Sequence, residues 1–268
     1  IAFEITEPEE LEISVATTNV SCFGANDGSI DITVTGGDGD YSFYWDNAVT
    51  DYNPNQGALE DVSGLGAGVF TVIVSDGNLC SASVEIEITE PEELIISETH
   101  TNVSCFGGND GEIDITVTGG TGNYTYLWQD YGYIEDLSGV STGMYSLTVW
   151  DENMCAAYDF ILITEPEPLD ISFASNSGEY LDCNSGQLSV IVEGGSAPYS
   201  YEWDNGSTDS NLFDLCAGDY SVTVTDANGC SISGSDTVDL LIPEGWEVIE
   251  TTDYHSISIP DDASLLLD

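Results

Sequence analysis

Apolar and polar residues alternate along most of the chain in short bursts. Leu11, Ile13 and Val15 alternate with Glu12 and Ser14, Ile30, Ile32 and Val34 with Asp31 and Thr33, and Val84, Ile86 and Ile88 with Glu85 and Glu87. Tyr41, Phe43 and Trp45 form another such run, as do Phe70, Val72 and Val74. A period of two sends successive side chains to opposite faces, so each run predicts a β-strand with one buried and one wet face. Gly-rich turns separate the runs, and no segment shows a helical face.

The bursts recur in a fixed order, which sets the architecture. Ile5-Thr-Glu-Pro-Glu-Glu-Leu11 returns at Ile88–Leu94 and, with Pro for the last Glu, at Ile163–Leu169. Asn19-Val-Ser-Cys22-Phe-Gly-Ala-Asn-Asp-Gly28 returns at Asn102–Gly111, while the third copy shortens this loop to Cys183-Asn-Ser-Gly186. Gly-Gly pairs at 36–37, 119–120 and 194–195 each lead to an aromatic strand ending at Trp45, Trp128 or Trp203. The closing block, Gly-x-aromatic-x-aliphatic-x-Val-x-Asp-x-Asn-x-Cys in outline, spans Gly68–Cys80, Gly143–Cys155 and Gly218–Cys230. The repeat is domain-sized: residues 8–90, 91–165 and 166–242. Residues 1–7 match the end of a copy and read as the last strand of a preceding repeat, and residues 243–268 as the start of a divergent module. Six or seven short antiparallel strands per copy predict a small two-sheet sandwich. The Cys-Trp-Cys order and the Gly-x-Tyr-x-Val-x-Val strand resemble immunoglobulin-like sandwiches, so the expected fold class is all-β, with tandem Ig-like antiparallel repeats in an elongated array.

Composition changes the picture through charge. The chain has 50 Asp and Glu, no Lys or Arg and two His, a formal net charge of −50. Without cations it cannot neutralise phosphates, which excludes nucleic acid and anionic membrane surfaces as direct partners. A P-loop Lys, an arginine finger and a Schiff-base Lys are likewise impossible. The carboxylates must face water, accept backbone N–H bonds or bind metal. At 41% hydrophobic residues, with 14 Tyr, 8 Phe and 5 Trp, the chain can still build cores under self-repulsion. No apolar stretch is long enough to span a membrane.

Seven cysteines remain to be placed. The expectation is one disulfide per repeat near one pole: Cys22–Cys80, Cys105–Cys155 and Cys183–Cys230. Cys216 is then the extra thiol, or a competitor of Cys230 for Cys183. Zinc is the rival, but no CxxC pair exists. Disulfides imply an oxidising, extracellular setting.

The blocks together resemble the SprB-type repeat of very large surface adhesins of gliding Bacteroidetes. The resemblance covers roughly residues 1–242 in all three copies. It implies a cell-surface filament exported by type IX secretion and moved along the cell during gliding. The third copy lacks the Asn-Asp of its first loop, and the tail after Pro243 falls outside the pattern.

Candidate chemistry is sparse. Asp76, Asp151 and Asp226 sit at hairpin tips beside a Cys, where an Asx-stabilised turn is the plain reading. The sharper one is Ca²⁺ held by these acids and by Glu7, Glu90 and Glu165 of the Thr-Glu-Pro-Glu joints. Trp45, Trp128 and Trp203 occupy one repeated strand position and are expected in the core, whereas Trp150, Tyr131 and Tyr133 occur once and are expected at the surface. Asn19, Asn102, Asn123 and Asn205 fit the glycosylation pattern, which Asn-, Ser- and Thr-rich loops also produce by chance. His100 and His255 have no patterned nucleophile, so no enzyme is expected. The Pro-containing joints predict a stiff array rather than a flexible tether. The sequence thus points to a non-catalytic stalk of an extracellular adhesin, with neighbouring repeats, surface polysaccharide or the motility machinery as partners. An array of glycan-binding modules and the spacer of a secreted hydrolase are the alternatives.

Overall fold

The computed structural model describes residues 8–46, 59–176 and 185–239, together with the backbone of two strands, Glu247–Glu250 and His255–Ser258. The first repeat has six strands: β1 (Glu12–Thr18), β2 (Gly28–Thr35), β3 (Ser42–Asp46), β4 (Val62–Leu65), β5 (Gly68–Ser75) and β6 (Ser81–Ile88). They form two three-stranded antiparallel sheets, ordered β1-β2-β4 and β3-β5-β6. Because β2 and β3 are consecutive yet lie in different sheets, the chain crosses between layers, which is the Greek-key wiring of an immunoglobulin-type sandwich.

The third repeat copies this plan. Strands β13 (Asp170–Asn176), β14 (Gly186–Glu193) and β16 (Asn211–Leu215) make one sheet. Strands β15 (Ser200–Trp203), β17 (Gly218–Thr225) and β18 (Ser231–Val238) make the other. The second repeat carries β7 (Ile95–Thr101), β8 (Gly111–Thr118), β9 (Thr125–Trp128), β10 (Leu137–Val140), β11 (Gly143–Trp150) and β12 (Ala156–Ile163), with orders β7-β8-β10 and β9-β11-β12. Beyond the repeats, β19 (Glu247–Glu250) and β20 (His255–Ser258) pair as a hairpin. Among the described residues there is no helix.

The alternation produces the cores it predicts. In the first repeat Ile30, Ile32, Val62, Val72, Val74, Ile86 and Ile88 are buried together, with Ile13, Phe43 and Trp45 packed against them. In the third, Leu188, Val190, Trp203, Leu212, Val222 and Val224 form the equivalent cluster. Ile113, Ile115, Trp128, Leu147 and Val149 are buried in the second. Trp128 and Trp203 are core residues, and their indole N–H groups donate to the carbonyls of Glu135 and Asp209.

Strand register fixes the poles of each sandwich. Thr18 pairs with Ser29, so the β1–β2 loop carrying Cys22 closes one end, here the lower pole. Glu12 pairs with Thr35, and Ser75 with both Ser42 and Ser81, so the β2–β3 turn and the β5–β6 tip carrying Cys80 lie at the upper pole. The expected Cys22–Cys80 bridge would have to span the sandwich. A strand the length of β2 covers about 25 Å, and a disulfide needs Cα atoms within about 7 Å.

Candidate functional site

The side chains that recur in every copy meet where one repeat follows the next. Cys22 of the first repeat bonds Cys155 of the second, with S–S 2.03 Å and Cα–Cα 5.6 Å. Cys105 of the second bonds Cys230 of the third, with S–S 2.00 Å and Cα–Cα 5.7 Å. These bridges replace the three expected within repeats. The chain enters each repeat at its upper pole and leaves at its lower one, so the lower-pole Cys of one copy faces the upper-pole Cys of its successor. Cys80 is an exposed free thiol, and Cys216, expected to be the extra thiol or a competitor of Cys230 for Cys183, is disulfide-bonded. Cys183 lies outside the described residues.

Around each bridge the same hydrogen bonds recur. At the first joint, Asn153 Nδ2 donates to the Ser21 carbonyl at 2.9 Å, and at the second Asn228 Nδ2 donates to that of Ser104 at 2.9 Å. Glu90 accepts the Gly24 N–H at 2.6 Å, and Glu165 that of Gly107 at 2.6 Å. Inside the Cys loop the Ser21 hydroxyl and N–H both donate to Asp27, and Ser104 does the same for Asp110. These bonds hold both carboxyls below the usual aspartate range, the side-chain bond contributing most.

The linker is bonded at both ends. Below, Val20 N–H donates to the Thr89 carbonyl and Thr89 N–H to Asn19 Oδ1, with Val103, Thr164 and Asn102 repeating the pattern. Above, Gly120 N–H donates to the Glu92 carbonyl and Gly195 N–H to that of Glu167. Only Glu90-Pro91 and Glu165-Pro166 lie between the two anchors. The Gly-Gly block exists for this contact: Gly119 has φ +75°, and a Cβ there would overlap the Glu93 carbonyl. At a position with positive φ and no lateral room, only glycine fits.

The hairpin-tip acids organise the upper pole. Asp151 Oδ1 accepts the N–H groups of Asn153 and Cys155, both at 2.9 Å, and Oδ2 accepts that of Thr121 at 2.8 Å. Asp226 does the same with Asn228, Cys230 and Ser196. Asp76 accepts from Asn78 and Cys80. All three acids are buried, between 3% and 6% exposed. Burial pushes the Asp226 carboxyl up, and its backbone N–H bonds outweigh that and hold it below the usual range.

Of the residues named for Ca²⁺, Asp76, Asp151 and Asp226 accept backbone N–H groups within their own repeats, and Glu90 and Glu165 accept them from the Cys loop. Glu7 lies outside the described residues. No three His, Cys, Asp or Glu are gathered as a metal cage among the described residues. Other acids mimic missing strand partners, since Asp61 accepts Ile32 N–H and Asp136 accepts Ile115 N–H on strands β2 and β8. With no cations available, backbone N–H groups take up these negative charges.

Of the surface aromatics, Tyr133 is 74% exposed, Trp150 is half-buried, and Tyr131 packs against Tyr145 with ring centroids 5.5 Å apart and planes tilted by 45°. Sequence reasoning did not single out Asn153 and Asn228 as joint donors, nor Asn78 as their counterpart. Their recurrence two residues before the second Cys of every copy was the available signal.

A family model for the SprB repeat matches residues 14–50, 97–132 and 181–208. Each copy carries a SprB-repeat match. In the first two copies the matched segments begin in the first strand and run through the Gly-Gly turn into the Trp strand, so there they include the Cys loop that forms the lower half of a joint. No curated protein matches the chain. Among solved structures, domains 1–6 of the surface layer protein SbsC align with 91% of this chain and 42% of theirs, at 12% identity and TM-score 0.32. The N-terminal eight Ig domains of Down Syndrome Cell Adhesion Molecule align with 81% of this chain at 16% identity and TM-score 0.28. The present chain spans 34% of that molecule.

Proposed function

We propose that this chain is a non-catalytic, load-bearing stalk segment of a large extracellular adhesin that serves surface attachment and gliding motility. The observation carrying this reading is the pair of disulfides that tie successive repeats together, each beside a linker bonded at both ends. Disulfides persist in oxidising, extracellular settings, and the SprB-repeat matches point to the cell surface. The repeated polar side chains spend their hydrogen bonds on joints and turns, which suits a scaffold rather than a reaction centre. Adhesion to surface polysaccharide then belongs to parts of the adhesin outside this segment, and propulsion to the motility machinery.

Interleaved bridges also set the load path. The shortest covalent route from Cys22 to Cys230 uses both disulfides and only the 105–155 stretch of chain. Fully stretched at ~3.4 Å per residue, that route measures about 170 Å, against about 700 Å along the reduced backbone. Single-molecule pulling between handles placed just outside Cys22 and Cys230 tests this. The oxidised chain is expected to yield near the short length and the reduced chain near the long one. Equal lengths would remove the load-bearing role. Binding of the isolated chain to a glycan array would instead favour the ligand-binding alternative.

A further inference from the structure

The upper pole of the first repeat is built like those of the second and third but has no partner loop among the described residues. At the first joint Pro91, Glu92, Leu94, Gly120 and Cys155 form a recess against which Cys22 and Phe23 lie. At the upper pole of the first repeat Pro8, Glu9, Leu11, Gly37 and Cys80 form the matching recess, about 270 Å³ in volume. The turn that receives the linker is already made there, with Gly37 N–H donating to the Glu9 carbonyl at 2.9 Å. Asn78 stands where Asn153 and Asn228 donate to a partner loop. Cys80 is exposed and unbonded.

A second observation marks this face as incomplete. Asp76 lines the recess, is 4% exposed, and its buried Oδ2 has no hydrogen-bond partner. At the two filled joints the equivalent oxygens of Asp151 and Asp226 accept the N–H of Thr121 and Ser196. An unpaired buried acceptor is costly. Those donors come from each repeat's own Gly-Gly turn, and the repeat without a partner loop is the one in which that turn leaves its tip acid under-satisfied.

We propose that Cys80 and its recess are the acceptor half of a further joint, and that the occupant is the Cys-Phe-Gly-x-Asn-Asp loop of another SprB-type repeat. A second copy of this chain is a poor donor, because Cys22 and Cys105 in their loops are already bonded. The loop's Cys becomes disulfide-bonded to Cys80. In that step the two thiols lose two protons and two electrons, which reduce one glutathione disulfide to two thiols. Asn78 Nδ2 donates to the carbonyl of the residue before the incoming Cys, as its counterparts do. This inference rests on the stapled joint and stands whether or not the array serves gliding.

The test grafts a second copy of residues 91–165 onto the full chain in place of residues 1–7, so that the grafted Ile-Thr-Glu runs into Pro8. After oxidation with glutathione disulfide, peptides are cut at Asp and Glu, since no trypsin site exists. The expected map links Cys80 to the grafted loop's Cys105 and leaves one thiol per chain, on the grafted Cys155. Alkylated Cys80 beside a folded graft, a Cys80–Cys80 dimer, or a bridge within the graft would each overturn the proposal. A grafted Cys105→Ser variant separates docking from thiol capture. Docking predicts that Cys80 reacts with maleimide at least about tenfold more slowly than in the ungrafted chain, as an occluded site does. An unchanged rate overturns it even if a bridge forms under oxidation.

Discussion

At the scale of single residues, a chain with no Lys or Arg still meets its buried acids with backbone N–H groups, on both oxygens at Asp151 and Asp226. Asp226 takes three such bonds, and its carboxyl is held below its ordinary value. A depressed folded value means that its contribution is complete above the unfolded Asp value of about 3.9 and is lost as pH falls through the folded one. Asp27 and Asp110 share that sign. Thermal melts across pH 5 to 2 are therefore expected to fall on an acid limb below about pH 4, and the limb of Asp226→Asn to be shallower. An identical limb in the variant would assign acid sensitivity elsewhere. Glycine supplies a second residue-scale test. Gly119→Ala places a Cβ against the Glu93 carbonyl at positive φ, with an expected loss of about 2–3 kcal/mol. Gly107→Ala, also at positive φ but with nothing within 4 Å of its Cβ, is expected to cost only about 1 kcal/mol by the backbone term. Equal losses in urea unfolding would deny the linker contact its role. The Gly-Gly pairs, tip acids and strand Trp residues were legible in the sequence because they repeat. Their partners were not, because carbonyls of the linker leave no trace in side-chain pattern.

At the scale of elements, alternation was enough to place strands and cores: Ile30, Ile32, Val72, Val74, Ile86 and Ile88 of β2, β5 and β6 are buried, and Val34, Phe70 and Val84 pack against them. Pairing of the cysteines was not recoverable from that pattern. The analogy with a sandwich bridged inside its own core suggested a partner within each copy. Which loop closes which pole depends on strand order, and the antiparallel registers put Cys22 and Cys80 at opposite ends. Staples between elements of different repeats also predict a particular mutant phenotype. Each sandwich has its own apolar core, so Cys22→Ser with Cys155→Ser is expected to leave the far-ultraviolet spectrum unchanged. The joint is expected to loosen, with faster amide exchange at Gly24 and Val20, whose bonds cross to the linker. Global unfolding of the double variant would mean that the staple, not the core, holds each sandwich together.

At the scale of the whole molecule, the property that matters is continuity: two disulfides and two doubly anchored linkers carry the chain from repeat to repeat. Closing loops with sequence separations of 133 and 125 restricts the unfolded chain, by about 4–5 kcal/mol each on chain entropy. Because the loops overlap, the two terms are not independent. The measurement that bears most directly on this account is a disulfide map of the oxidised chain under non-reducing conditions, using proteases that cut at Asp and Glu. It is expected to recover Cys22 joined to Cys155 and Cys105 joined to Cys230, with Cys80 alkylated. Recovery of Cys22 with Cys80 and Cys105 with Cys155 would mean that each repeat closes on itself, and the account of a stapled array would be wrong.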